Sequence, residues 1–145
     1  MTLTSPAPVA RIDTIEIPVA ELQRAMTWYE RALGLASSWS DAHHALLESP
    51  QADADSSPQG VRVLLVATSD PSRLGFDNTH NGLRHSVVDF RTDELEALHA
   101  HLVTLGGRVD TLAPPANDWA PRGFGFSDPE GNRLAAYTYS RGQSR

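Results

Sequence analysis

The sequence predicts an α+β fold built from two βαβββ units, and three observations carry the prediction. Residues 11–19, "RIDTIEIPV", alternate, with Ile12, Ile15, Ile17 and Val19 largely on one face and Thr14 and Glu16 on the other, as in a half-buried strand. Directly after it, "AELQRAMTWYERALGL" places Leu22, Ala25, Met26, Tyr29 and Leu33 at helical spacing and ends at Gly34, where a helix C-terminus favours positive φ. The same order then returns 73 residues later, pairing Ile15 with Val88, Glu16 with Asp89, Ile17 with Phe90 and Leu22 with Leu95. A shift of 72 serves the helices nearly as well, pairing Leu33 with Leu105 and Gly34 with Gly106, but strand parity favours 73, because a one-residue slip turns every strand side chain to the wrong face.

Taken in order, the first unit continues with strands in "HHALLES" and "GVRVLLVAT", separated by the loop-forming "PQADADSSPQG". "FDNTHNGLRHS" is polar and reads as the connection between units. "RHSVVDF" is a strand with Ser86, Val88 and Phe90 on one face and His85, Val87 and Asp89 on the other. "DELEALHAHLVTLGG" is a helix with Leu95, Leu98, Leu102 and Leu105 as its stripe, and Asp93 and Glu96 have capping-box spacing at its start. "RVDTLA" can pair as a strand. The unit closes with "GFGFSDPEGNRLAAYTYS", two strands joined by a tight reversal in which Pro129 presets φ and Gly131 accepts a positive φ. The boundaries are a loose tail at 1–10, one domain at 11–140 with modules at about 11–70 and 83–140, and a short tail at 141–145.

Composition narrows the function classes. A chain of 145 residues buries roughly two thirds of its surface without staples. With no cysteine, it has no disulfide framework, zinc-cysteine site or thiol nucleophile. A formal charge of -6 with scattered Lys and Arg argues against nucleic acid. "MTLTSPAPVA" lacks the basic and apolar regions of a signal peptide, and no run of about 18 apolar residues could span a bilayer. The expectation is a cytoplasmic protein without membrane partners. No GxGxxG after a strand, P-loop, GxSxG elbow or HExxH occurs.

"IEIPVAELQRAMTWYERALGL", "DELEALHAHLVTLGGRV" and "FSDPEGNRLAAY", in this order and duplicated, resemble the vicinal oxygen chelate superfamily, which includes glyoxalase I, extradiol dioxygenases and bleomycin-resistance proteins. The resemblance covers residues 11–140. It implies paired βαβββ modules whose mixed sheets curl into a cup with helices outside, and a homodimer that completes its cups across a two-fold axis. It also implies metal ligands on cup-facing positions, a His near the start of a module and a Glu on its last strand. Those positions carry Thr14, Val87 and Ala135 here, with His85 two residues before Val87 on the same face, and "VRVLLVAT" offers no imidazole or carboxylate. The resemblance therefore points to a member without a metal cofactor that binds a small organic molecule, as the bleomycin-resistance branch does by sequestration. The rival is a lyase, isomerase or dioxygenase with an irregular metal site or a carboxylate base; an interaction protein whose cup supports dimer contacts is a third possibility.

Parity places Glu16 and Asp89 on the cup face, with Thr14, His85 and Tyr137 beside them and Trp119 and Phe124 as candidate apolar lids from "PPANDWAPRGFGF". Two carboxylates in one concavity make either a general base or a socket for a cationic or donor-rich ligand. The plain alternative is a pair of solvated carboxylates bonded to Arg11, Arg62 or Arg91. A metal could use His43, His44 and His80 with His85, but adjacent His residues on a strand point to opposite faces, as His43 and His44 do. His99 and His101 fall on the second helix and read as surface or partly packed histidines.

Overall fold

The computed structural model describes residues 7–49, 60–114 and 121–138. Alternation in the first strand is realised as alternating burial. In β1 (Thr14–Val19) Ile17 and Val19 are fully buried while Glu16 is exposed. Helix α1 (Leu22–Leu33) buries Ala25, Tyr29 and Ala32 and stops at Gly34, whose φ of 70° turns the chain so that the Leu35 N–H reaches the Tyr29 carbonyl at 3.2 Å. β2 (Ala36–Ser40), β3 (His44–Glu48) and β4 (Arg62–Ala67) complete a sheet of order β1-β4-β3-β2, with β1 parallel to β4 and the rest antiparallel.

The second module repeats this plan. β7 (Val88–Arg91) pairs in parallel with β9 (Arg133–Thr138), which pairs antiparallel with β8 (Arg122–Ser127), and α2 (Leu95–Leu105) lies between β7 and β8 in the chain. Val109 forms a single antiparallel bridge to Phe126 at the place where β2 stands in the first module. The helices start 73 residues apart, at Leu22 and Leu95, but their closing glycines, Gly34 and Gly106, are 72 apart. Each of the two offsets therefore holds at its own end of the helix, and α2 is one residue shorter.

Several local expectations are corrected. Strand β2 was not legible, because "ASSWS" is polar and mostly exposed at the sheet edge, with a register shift between Ser37 and Trp39. The polar connection is itself a hairpin, β5 (Phe76–Asn78) against β6 (Leu83–His85), closed by a turn over Asn78–Gly82. "RHSVVDF" is thus two strands with a bend at Val87, braced by Ser86 Oγ donating to Asp89 Oδ1 at 2.5 Å. The capping box does not form: Thr92 Oγ1 accepts the Glu94 N–H at 3.0 Å, while Glu96 pairs with Arg122. "RVDTLA" contributes only the Val109 bridge. Phe124 is no lid. It is 5% exposed, with its ring edge-on to His99 at 4.8 Å between centroids. The loop after β3 lies largely outside the described residues.

The turn "DPEGN" joins the modules. Asp128 is buried and accepts the N–H groups of Glu130 and Asn132 on Oδ1, and Asn132 Nδ2 and the Tyr29 hydroxyl on Oδ2, at 2.7–2.9 Å. Asn132 Nδ2 also donates to the Pro18 carbonyl, and its Oδ1 accepts the Leu74 N–H, both at 2.8 Å. Glu130, with a side chain only 4% exposed, sits at the N-terminus of α1, accepts the Glu21 N–H at 3.0 Å and pairs with Arg24 at 3.3 Å and Arg73 at 3.2 Å. That helix has no acidic residue in its own first turn and no side-chain cap, so the anionic group that complements its dipole comes from the other module. His101 Nε2, donating to the Arg31 carbonyl at 2.6 Å, ties α2 to α1.

Candidate functional site

Strand β8 reads "RGFGFS", and its alternation opens a cavity. Phe124 and Phe126 face inward and are buried, so Gly123 and Gly125 fall on the opposite face and add no side chain of their own there. Their partners across β9 are Tyr137 and Ala135. The result is a cavity of about 760 Å³ on the second module's sheet, roofed at one side by the β5–β6 hairpin and lined by His85, Asp89, Arg133, Ala135 and Tyr137 among others.

Three of the six residues nominated from sequence therefore meet here: His85, Asp89 and Tyr137. Thr14 and Glu16 do not line this cavity. They lie in the first module's sheet, which among the described residues shares no ladder with the second, and there Thr14 donates to Asp13 at 2.6 Å and Glu16 stands level with Leu64 on β4. Parity was read correctly on each strand, but within the chain the two carboxylates do not face one cavity. Trp119 lies outside the described residues.

His85 ends β6 with its ring 5.5 Å from that of Phe76. Its Nε2 stands 3.4 Å from the side-chain amide nitrogens of both Asn78 and Asn81. Asp89 is exposed and accepts from Ser86; it lies level with Ala135 on β9. Tyr137 is half-buried beside Gly123.

The donor set does not fit a family-type divalent site. Thr14 and Ala135 lack a suitable donor, Val87 is an exposed apolar residue at the bend, and no cluster of three His, Cys, Asp or Glu side chains forms among the described residues. His44 is engaged by Asp41 at 3.0 Å, and His99 Nε2 donates to the Asp110 carbonyl at 2.9 Å.

Sequence reasoning missed the basic residues of the cavity. Arg84, Arg108 and Arg133 all line it. The alternation that placed Tyr137 in the cup also places Arg133 there, four residues earlier on the same strand, but its position beside the turn hid it.

The family profile described as "Glyoxalase/Bleomycin resistance protein/Dioxygenase superfamily" matches residues 11–136. No curated protein matches the chain. Among solved structures, TnmS3, an antibiotic binding protein from Streptomyces sp. CB03234, is 22% identical with a TM-score of 0.66, over 93% of this chain and 100% of its own. The fosfomycin resistance protein FosX from Listeria monocytogenes is 12% identical with a TM-score of 0.67, over 93% and 98%. Lactoylglutathione lyase from Agrobacterium tumefaciens is 16% identical with a TM-score of 0.62, over 90% and 95%. At these identities the likeness is one of fold. No helix among the described residues is long and apolar enough to cross a membrane.

Proposed function

Since the chain belongs to the glyoxalase/bleomycin resistance protein/dioxygenase superfamily, we propose that it binds a small organic molecule in the second module's cup, by sequestration and without a divalent metal. The observation that carries this reading is the cavity itself. Its volume of about 760 Å³ falls within the roughly 300–1,000 Å³ typical of small-molecule sites, and it combines apolar walls with convergent polar groups at His85, Asp89 and Tyr137. The side chains at the family's metal positions, Thr14, Val87 and Ala135, support binding without metal. The fold likeness to an antibiotic binding protein is in keeping with a sequestering role.

Thermal-shift screening of a small-molecule library, followed by calorimetric titration of the wild type and of Asp89→Asn and Tyr137→Phe, tests the assignment. Ligands that stabilise the wild type and bind both variants more weakly support it; unchanged affinity in both removes these residues from the site. The enzymatic reading has Asp89 as the base of a metal-free isomerase, since it is the carboxylate in the cavity not engaged by an arginine there. Recovery of the ligand unchanged after prolonged incubation favours sequestration, and conversion lost in Asp89→Asn favours the isomerase. The expected homodimer would cover the first module's open sheet face, where Thr14 and Glu16 lie and Trp39 is 52% exposed.

A further inference from the structure

The cavity holds a guanidinium with an unmatched N–H. Arg133 opens β9, and period-two alternation puts it on the face of Ala135 and Tyr137. Its side chain is 8% exposed; Nη2 donates to Asp110, and Nη1 is buried with no acceptor among the described residues. Buried charged donors are normally satisfied, so a cavity-lining arginine with an orphan nitrogen is short of an acceptor. The space for this group exists because residue 125 is glycine: a Cβ there would stand 2.5 Å from Arg133 Nη2 and 2.9 Å from Cζ.

The surroundings reinforce the sign of that partner. Arg84 and Arg108 line the same cavity; Arg84 reaches Asp77 at 3.2 Å, and the Arg108 guanidinium has no acceptor among the described residues. Against these cations stand two carboxylates. Asp110 is already engaged by Arg133, and Asp89 accepts from Ser86. With Glu16 outside the cavity, the pair of carboxylates expected to favour a cation is not assembled within the chain.

We propose that Arg133 is the recognition residue for an oxyanion on the ligand, a carboxylate borne by an apolar organic body that lies along Leu83, Val109 and Tyr137. This deepens the small-molecule reading above and rests on it. A planar carboxylate suits a guanidinium fork, and the low-dielectric wall strengthens the pairing.

A charge series on one scaffold tests it: 2-naphthoate, neutral 2-naphthamide and cationic 2-naphthylmethylammonium, titrated into the full chain by calorimetry, with amide NMR shifts at Gly123 and Gly125 reporting the place of binding. Naphthoate is expected to bind roughly ten- to a hundredfold more tightly than the amide, the gain from one charge-assisted hydrogen bond, and to shift both glycines. Arg133→Gln should abolish that preference, and Arg108→Gln should lower it several-fold without touching the Arg133–Asp110 pair. The wild-type series stands even if Arg133→Gln does not fold. Equal affinities, or a preference for the ammonium, would overturn the anion assignment while the glycine shifts uphold the cavity as a binding site. Failure of all three probes to bind at millimolar concentration would overturn both.

Discussion

The Tyr29 hydroxyl, on the first module's helix, donates to Asp128 Oδ2 in the second module's turn at 2.7 Å, and both groups are buried. Burial, with the Asp128 carboxylate close by, holds the Tyr29 phenol well above its usual pKa. Tyr29→Phe should cost about 1.5–3 kcal/mol, the range for hydrogen bonds to charged groups, read as a lower denaturation midpoint with unchanged slope.

The same pair sets an alkaline limit. The phenol's pKa is raised on folding, so its contribution is complete below the unfolded value of about 10 and is lost as pH rises toward the folded value. Stability of the wild type should fall above about pH 10 more steeply than that of Tyr29→Phe. Ultraviolet titration should show one tyrosine that ionises only on unfolding.

Glu130 sets an acid limit of opposite sign. Burial alone would push its carboxyl up, but the N–H groups of Glu21 and Ala20, with Arg73 and Arg24, outweigh this and hold it below the usual range. Its contribution is present above the unfolded value of about 4.3 and is lost as pH falls through the lower folded value. Glu130→Gln should cost about 1–3 kcal/mol at neutral pH and flatten the acid limb of stability against pH.

The two cavity glycines should respond differently to alanine. At Gly125 the new methyl meets the ends of Arg133 and Asp110, side chains that can give where backbone cannot, so the cost should be the smaller of the two. At Gly123 it meets the Ala136 backbone oxygen at 2.5 Å, and the strand itself must shift, costing about 1–3 kcal/mol. Denaturant titration of both variants checks the order.

Loading with Fe(II), Ni(II) or Zn(II) followed by dialysis should leave no stoichiometric metal, because Thr14, Val87 and Ala135 supply no imidazole or carboxylate. A full equivalent by elemental analysis, lost in His85→Ala, would refute this.

What could be read from sequence was what periodicity controls. Ile17, Val19, Val88 and Leu134 are buried because a strand has two faces, and α1 and α2 start where their leucine stripes do. What could not be read depends on partners distant in sequence. "ASSWS" is a strand because β3 pairs with it, "FDNTHNGL" is a hairpin because the chain turns back at Gly82, and Arg133 matters because Gly125 leaves it room. Glu16 and Asp89 occupy equivalent positions in the repeat, yet equivalence within a module says nothing of how one sheet is set against another.

The turn that closes on α1 also governs the order of events during synthesis. Tyr29 and Asp128 are 99 residues apart, Glu21 and Glu130 109, and Pro18 and Asn132 114. At translation rates of about 5–20 residues per second, the first helix emerges roughly 5–20 s before the groups that cap its start and satisfy its buried hydroxyl. Throughout that interval the Glu21 N–H, the Tyr29 hydroxyl and the Pro18 carbonyl have only water, or another nascent chain, to bond. The amino-terminal half is therefore the segment most exposed to premature association, and its release into a native core waits on the final hairpin.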